Sequence, residues 1–399
     1  MKLMLAISAC LTFAVQAQER HFEFDVNLSD NLEIALPQCA RFINDHTIAW
    51  SGSNAAVHLI NLQNLAEERT LTGLIQDEID QFIVSADGRY LVGTSSPGEL
   101  LCWDLSNGEK LYSTGYFQEG YSMSHHLTFF KGDSQLMVNE TSLSSGCVIY
   151  NYEIEKGVRI DSILAPKEDC VYMIARTKQK NQILISTNEG LCFYNLKTKV
   201  YSDPISVEDL SVITDLKVSP DGKLVAAAGR SGILIFSADL QTKKCLISSG
   251  EWINEVQFST DGNFFFSCSG SYDTKDPSVK VWSTKTWELI TSFRSFSEKV
   301  STIDISPNQN YLVATSWDGS IQIYNLRTDS LILRIVPVIS GNQTHYIFHN
   351  QAETIFVGSE LLPHISIVKD GVAIEPSAMN LANNKLDLTS SFQNTPTKK

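Results

Sequence analysis

From residue 300 to residue 335 the chain reads VSTIDISPNQNYLVATSWDGSIQIYNLRTDSLILRI, and its apolar positions alternate with polar ones in four short runs. A period of two marks strands that bury one face. The runs 302–306, 311–315, 321–324 and 331–335 are separated by turn clusters at 307–310, 317–319 and 327–329, which predicts a sheet of four strands. Four short strands cannot bury both faces of their own sheet. They require neighbours of the same kind.

Those neighbours emerge when the aromatic or branched residue of the third run is aligned: Ile60, Trp103, Tyr150, Tyr194, Phe236, Trp282, Tyr324 and Val368, spaced 42 to 47 residues apart. That is the period of a propeller blade and too long for a helical repeat of about 33 to 34 residues. A second ladder, Phe42, Phe82, Phe129, Ile174, Val218, Phe258, Ile305 and Phe348, marks the first strand of each unit in the same register. The expected fold is therefore all-β, a β-propeller of eight four-stranded blades, with seven as the alternative if the last unit is irregular.

Between first and second strands, Ser85-Ala86-Asp87-Gly88, Ser219-Pro220-Asp221-Gly222 and Ser259-Thr260-Asp261-Gly262 combine Asp with a Gly that tolerates positive φ. With Trp103-Asp104 and Val281-Trp282 closing third strands, these turns resemble the WD-repeat and bacterial YVTN-like propeller families over about residues 38 to 374. The resemblance implies the fold and is weak for function. There is no Gly-His pair before the first strands and a single Trp-Asp pair, so the buried Asp-His-Ser-Trp network of typical WD blades is not expected.

A propeller leaves two chain ends to reconcile. The run 21–26 stands outside any complete unit, and the last unit, 345–374, has three clear strands and a short fourth candidate at 372–374. Adding residues 22–26 to that eighth sheet would close the ring and remove a free edge. Before it, residues 1–17, MKLMLAISACLTFAVQA, carry an early Lys2, an apolar core and small or apolar residues before Gln18. They read as a secretory signal cleaved after Ala17, which makes the protein exported, periplasmic or secreted. A lipoprotein box ending at Cys10 fits less well, because Leu11 to Val15 continue the apolar core. The domain plan is thus signal 1–17, propeller 18–376, and a polar C-terminal tail, 377–399, read as disordered.

Composition removes several functions. A net charge of -14 without a basic stripe argues against nucleic acid, whose phosphates require a basic surface. After the first 17 residues no apolar run is long enough to span a bilayer. Seven cysteines follow Ala17, with no CxxC pair and most of them inside strands, where they read as buried thiols.

Catalytic arrangements are scarce. There is no Gly-x-Ser-x-Gly, His-Glu-x-x-His, phosphate-binding loop or Gly-x-Gly-x-x-Gly, and no cofactor or metal is implied. His125, His126, His345 and His349 fall in first strands, which line the channel of a propeller, but without clustered ligand spacing. The connections from fourth to first strands share one face of the disc and carry Asp77, Glu78, Glu119, Glu168, Asp169, Glu208, Asp209, Glu251 and Glu298 against Lys167, Arg294 and Lys299. That face is expected to be acidic and to favour a basic partner. The same connections place Tyr116, Phe117, Tyr121 and Met123 in one loop, and Trp252 and Phe296 in others, as candidate docking aromatics.

The function these observations favour is an exported platform for binding another protein, without chemistry of its own. Two alternatives belong to other classes: a propeller enzyme, lactonase-like or quinoprotein-like, with a site at the channel mouth, and an assembly factor of the cell envelope. Residues 104–112, DLSNGEKLY, resemble the quinoprotein blade motif once.

Overall fold

The computed structural model describes residues 25–29, 32–350, 355–357 and 361–378, apart from short stretches at 54, 73–77, 96–98, 115–125, 143–145, 167–169, 249, 272–273, 342, 362–363, 370–371 and 375–376. The predicted signal, Cys10, and the tail beyond residue 378 lie outside the described residues, as do Tyr116, Phe117, Tyr121, Met123, Glu168 and Asp169.

Seven antiparallel sheets form a propeller of seven blades. Their first strands, innermost in the ring, are Pro37–Phe42, Ile79–Val84, Leu127–Phe130, Val171–Arg176, Ile213–Val218, Ile253–Phe258 and Val300–Ile305. Each is followed outward by a second, third and fourth strand in chain order. The first seven rungs of both sequence ladders fall where expected, on first and third strands, and the eighth rungs, Phe348 and Val368, do not. Second strands are almost wholly buried, as in Thr47–Gly52, Tyr90–Ser95 and Tyr311–Ser316, because blades cover them on both sides.

Seven inter-blade cores follow around the ring. Trp103, 1% exposed, joins Leu59 and Ala49 between blades one and two. Similar clusters join blades two to three through Val92 and Leu136, and onward to blades six and seven through Phe293 and Leu312. The seventh core closes the circle, with Trp50 and Phe42 of blade one against Val313 and Ile323 of blade seven. Trp282, a ladder partner of Trp103, is only half buried, and its indole Nε1 donates to Ser267 Oγ at 3.0 Å.

The ring is therefore one blade smaller than the sequence count of eight, and the reason lies in the connection between the last two units. Stepping from the outer strand of one blade to the inner strand of the next crosses three strand spacings, about 14 Å. At about 3.5 Å per residue this requires at least about four residues. The connection from Lys243–Ser248 to Ile253–Phe258 has just that length, residues 249–252. The last fourth strand instead runs eleven residues, Ser330–Ser340, and turns within residues 341–342 into Gln343–Asn350. So short a turn makes a hairpin in the same sheet. Gln343–Asn350 accordingly pairs with the outer strand of blade seven, Val336 opposite Ile347, and Phe348 packs on the outside of the ring-closing core.

Ile355–Val357 pairs with Gln343–Asn350 in the same extended sheet, and the last strands of the eighth unit form a satellite. Asp25–Leu28 pairs antiparallel with Ile365–Lys369, Asp25 opposite Val368 and Leu28 opposite Ile365, and Val372–Ile374 completes a three-stranded sheet. Of the run 22–26 expected to pair with the last unit, Asp25 and Val26 do so, and residues 22–24 lie outside the described residues. Its expected role is not found, since the ring closes between blades one and seven. A separate cluster of Val338, Ile347 and Val357, with Leu28 and Ile34 against it, holds the satellite to the extension of blade seven.

None of the seven inter-blade cores contains a residue before Ala35. Deleting residues 1–28 should therefore leave the main cooperative melting transition within about 2 °C of the intact chain, a shift on the order of 1 kcal/mol. A loss of that transition in differential scanning calorimetry would make the N-terminal strand part of ring closure after all.

Candidate functional site

The first strand of a blade is an edge strand: one side pairs with the second strand, and the other faces the channel, where its N–H and C=O groups have no strand to bond. A buried backbone group left in that state costs about 1–3 kcal/mol. Here the vacancies are filled by side chains of the neighbouring first strand. Asp215 Oδ2 accepts from Val256 N at 2.9 Å, Glu255 Oε2 from Ile303 N at 2.9 Å, and Asp304 Oδ2 from Phe42 N at 2.8 Å. Blades five, six, seven and one are thus linked in order by carboxylates. Between blades three and four the acceptor is His126 Nδ1, 3.3 Å from Ile174 N. Carbonyls are met likewise: Thr214 Oγ1 donates to Ile253 O, Asn254 Nδ2 to Val300 O, and Asn139 Nδ2 to Val171 O. Thr214 and Asn254 occupy the bulge near the start of their strands, which turns the side chain toward the next blade.

These clamps gather charge around the channel. Arg41 Nη2 lies 2.7 Å from Glu255 Oε1, and Nη1 donates to Glu255 Oε2 at 3.2 Å and to Ile303 O at 3.0 Å. Lys217 Nζ is 3.0 Å from Asp215 Oδ1. Burial pushes the Glu255 carboxyl above its ordinary range, with Arg41 and Lys217 offsetting only part of the effect. Burial also raises Asp304, against the pull of Arg41. For Asp215 burial acts upward too, but Lys217 and His126 outweigh it and hold the carboxyl below its usual range. The His126 imidazole is driven down to about 4 by burial and by Lys217, although Asp215 Oδ1 lies 4.0 Å from its Nε2 and pulls the other way. His126 is therefore neutral in neutral water, as its role as an Nδ1 acceptor requires.

A cavity of about 430 Å³ occupies the channel, a volume within the range of small-ligand sites. Its floor is the polar set Arg41, Gln81, His126, Lys217, Glu255 and Asp304. Its mouth is formed by the ends of first strands, Val84, Val218, Phe258 and Ile305, and by the turns that follow, Ala86, Pro220 and Pro307. It opens on the face of first-to-second turns, opposite the fourth-to-first connections.

The residues singled out by sequence fall elsewhere. Glu208 and Asp209 are exposed on a 3-10 turn, Glu208–Leu210, where Asp209 is paired with Lys243. Trp252 is half buried, with the Arg230 guanidinium 5.4 Å from its ring centroid. Phe296 is 6% exposed and packs 6.0 Å from Tyr324, so it is a core residue between blades six and seven and not a docking aromatic. Glu251 holds Thr274 Oγ1 and Lys275 N of the neighbouring loop. Of the four histidines, His126 lines the channel, His125 lies outside the described residues, and His345 and His349 stand on the outer hairpin strand, for the reason that moved the eighth unit out of the ring. Sequence reasoning missed Arg41, Asp215, Lys217, Glu255 and Asp304, though all sit at the penultimate position of a first strand or two residues before it. A ladder drawn through polar as well as apolar positions would have found them.

Because His126 binds its proton less tightly folded than unfolded, the unfolded chain holds more protons between about pH 6.5 and 4, and stability drains away as pH falls through that window. The contribution is on the order of 3 kcal/mol. His126→Gln, which keeps an acceptor for Ile174 N, should flatten the fall in urea-melt stability between pH 7 and 4 relative to the parent chain. Glu255 and Asp304 oppose this trend in both proteins, so the difference between them isolates the imidazole. Parallel curves would show that His126 binds its proton equally well folded and unfolded.

Fragments of a WD-type network survive in two blades. Trp282 bonded to Ser267 is its outer half in blade six. In blade seven the buried Asp318 accepts from Ser297 N at 3.2 Å and from Ser320 N at 2.9 Å, fixing the incoming connection without a histidine. The WD domain, G-beta repeat family matches residues 241–283 and 287–325, each spanning the fourth strand of one blade and three strands of the next. COMPASS component SWD3 of Saccharomyces cerevisiae is 23% identical over 148 residues, 37% of this chain and 45% of that protein. Target of rapamycin complex subunit wat1 of Schizosaccharomyces pombe is 24% identical over 164 residues, 40% of this chain and 50% of that one. This chain thus spans half or less of those relatives' lengths. The solved β-propeller domain of Cps50 (Swd1) from Myceliophteria thermophila superposes with a TM-score of 0.59 at 18% identity, covering 74% of this chain and 98% of that domain, a likeness of fold. Fold and structural likeness agree: the chain is a seven-bladed β-propeller, and its residues 241–283 and 287–325 are similar to the WD domain, G-beta repeat.

Proposed function

We propose that this chain is an exported interaction platform, a rigid ring that holds another protein against the loops of one disc face and does no chemistry of its own. The observation that carries the reading is how the channel charges are used. Asp215, Glu255, Asp304 and His126 each accept a backbone N–H of the adjoining blade, so these titratable groups serve to join blades. A ring fixed in this way suits recognition by its loops, which vary while the frame stays constant. Relatives named as a COMPASS component and a target of rapamycin complex subunit are members of assemblies, which supports the same class of role.

The face in question carries the fourth-to-first connections, with Glu78 and Glu208 exposed on it and Trp252 half buried beside them. Its partner is a protein with a basic surface. Reversing Glu168, Asp169, Glu208 and Asp209 to lysine should weaken capture of the crosslinked native partner at least tenfold and remove most of its salt dependence. Unaltered capture would exclude this face.

Export rests on residues 1–17 and accords with a divergent propeller of the bacterial YVTN-like kind. N-terminal sequencing of the protein from its native cells should begin at Gln18. A chain that retains Met1 would end the export proposal, and a lipid on Cys10 would replace it with membrane tethering.

A further inference from the structure

The channel cavity lies on the opposite face from the proposed partner site, and its charges do not balance. Two cations are each turned onto a carboxylate of their own, Arg41 onto Glu255 with contacts of 2.7 and 3.2 Å, and Lys217 onto Asp215 at 3.0 Å. The third carboxylate, Asp304, receives only neutral donors, Phe42 N at 2.8 Å on one oxygen and Gln257 Nε2 at 3.1 Å on the other. Among the described ion pairs it takes part in none. Asp304 nevertheless lines the cavity beside an apolar mouth of Val84, Val218, Phe258 and Ile305. Asp304 is part-buried, and Arg41, whose charge pulls its carboxyl down, is hydrogen-bonded to Glu255 and Ile303 O instead, so a cation entering the cavity would give this carboxylate a direct partner.

We propose that this cavity is a binding site for an organic monocation, a primary ammonium or guanidinium on an apolar stem, with the Asp304 carboxylate as its counter-ion. Phe42 N, Gln257 Nε2 and the Ile305 backbone N–H occupy three of the carboxylate's roughly four acceptor positions, which leaves one for the ligand. The stem lies along the mouth, where Phe258 adds an aromatic face. Arg41 and Lys217 remain with their own carboxylates, and His126, neutral above about pH 4, adds no opposing charge at neutral pH. Burial has lifted the Asp304 carboxyl above its ordinary range, as expected for a carboxylate waiting for a counter-charge, and a bound cation should bring it back down.

The probe is n-butylammonium chloride, titrated into the full chain at pH 7.5 and followed by saturation-transfer NMR, with sodium butyrate and sodium chloride at equal ionic strength as controls. Saturable binding of butylammonium alone, weakened at least tenfold in Asp304→Asn, is the expected result. The amide keeps an acceptor for Phe42 N, so the ring should still close. Should that variant fail to fold, Val84→Lys supplies a tethered ammonium at the mouth and should block the probe. A short peptide with a central lysine distinguishes the source of the cation: tenfold tighter binding than butylammonium identifies a side chain of a partner, and equal or weaker binding identifies a free amine. No saturable binding of either probe, binding of butyrate equal to that of butylammonium, undiminished binding by folded Asp304→Asn, or undiminished binding by Val84→Lys would each overturn the site. The partner face is untouched by these variants, so the platform reading stands or falls separately.

Discussion

The structure depends on how an edge strand is satisfied where no further strand can be added. Seven first strands converge on the channel, each with one side paired and the other turned inward, and sheets do not continue across the gap. The chain supplies side-chain acceptors in place of backbone ones: Asp215 for Val256 N, Glu255 for Ile303 N, Asp304 for Phe42 N, Thr302 Oγ1 for Ala40 N. These bonds are buried or part-buried at the channel wall, where water competes for them less than at an exposed surface, so each is more costly to lose than an exposed counterpart. The same requirement explains why carboxylates are tolerated at all in so buried a place. They accept from backbone, and the nearby Arg41 and Lys217 reduce the penalty of their charge.

The distribution of these groups is uneven. Blades five, six, seven and one carry Asp215, Lys217, Glu255, Asp304 and Arg41 on their first strands, while the matching positions of blades two to four are Gln81, Ile83, Phe129, Met173 and Ala175. One half of the channel wall is held by ion pairs and the other by packing, with His126 reaching across to Asp215 from the apolar half. The polar half contains the junction where the two ends of the ring meet. A junction between segments far apart in sequence has no connecting loop to hold it, and directional bonds such as Phe42 N to Asp304, Arg41 to Ile303 O and Asn308 N to Asp45 Oδ1 fix its register.

What sequence shows and what it hides divide along the same physical line. Strand identity was legible because burial on one face imposes a period of two, and the ladders through Trp103 and Phe82 reproduce the third and first strands. Blade number was not, because it is decided by whether a connection is long enough to cross a blade, and the ladder through Phe348 and Val368 records strands without recording where they go. The two-residue turn at 341–342 held that information. The site was the least legible part. Its members come from four repeats, Arg41 being more than two hundred residues from Glu255, and each alone reads as an ordinary polar residue in a strand. Phe296 shows the converse error, an aromatic in a connection that folds back onto Tyr324.

The surviving WD features sit where the ring and its extension impose the greatest constraint. Blade seven is the blade that meets blade one, carries the hairpin Gln343–Asn350 on its outer edge, and holds Glu33–Ile34 against Ile339 and Val338 as well. Its incoming connection is pinned by Asp318 through Ser297 N, and that of blade six by Gly270 N, which donates to Trp252 O. Elsewhere other side chains make the bridges: Asn139 links His126 of blade three to Val171 and Tyr172 of blade four, and Ser51 of blade one bonds Ile79 O of blade two. Each substitute does the same physical task, tying the buried end of a second strand or its turn to the first strand of its own or the next blade. A propeller can therefore lose its repeat signature in most blades and keep its geometry, provided that every inner edge still finds a donor or acceptor.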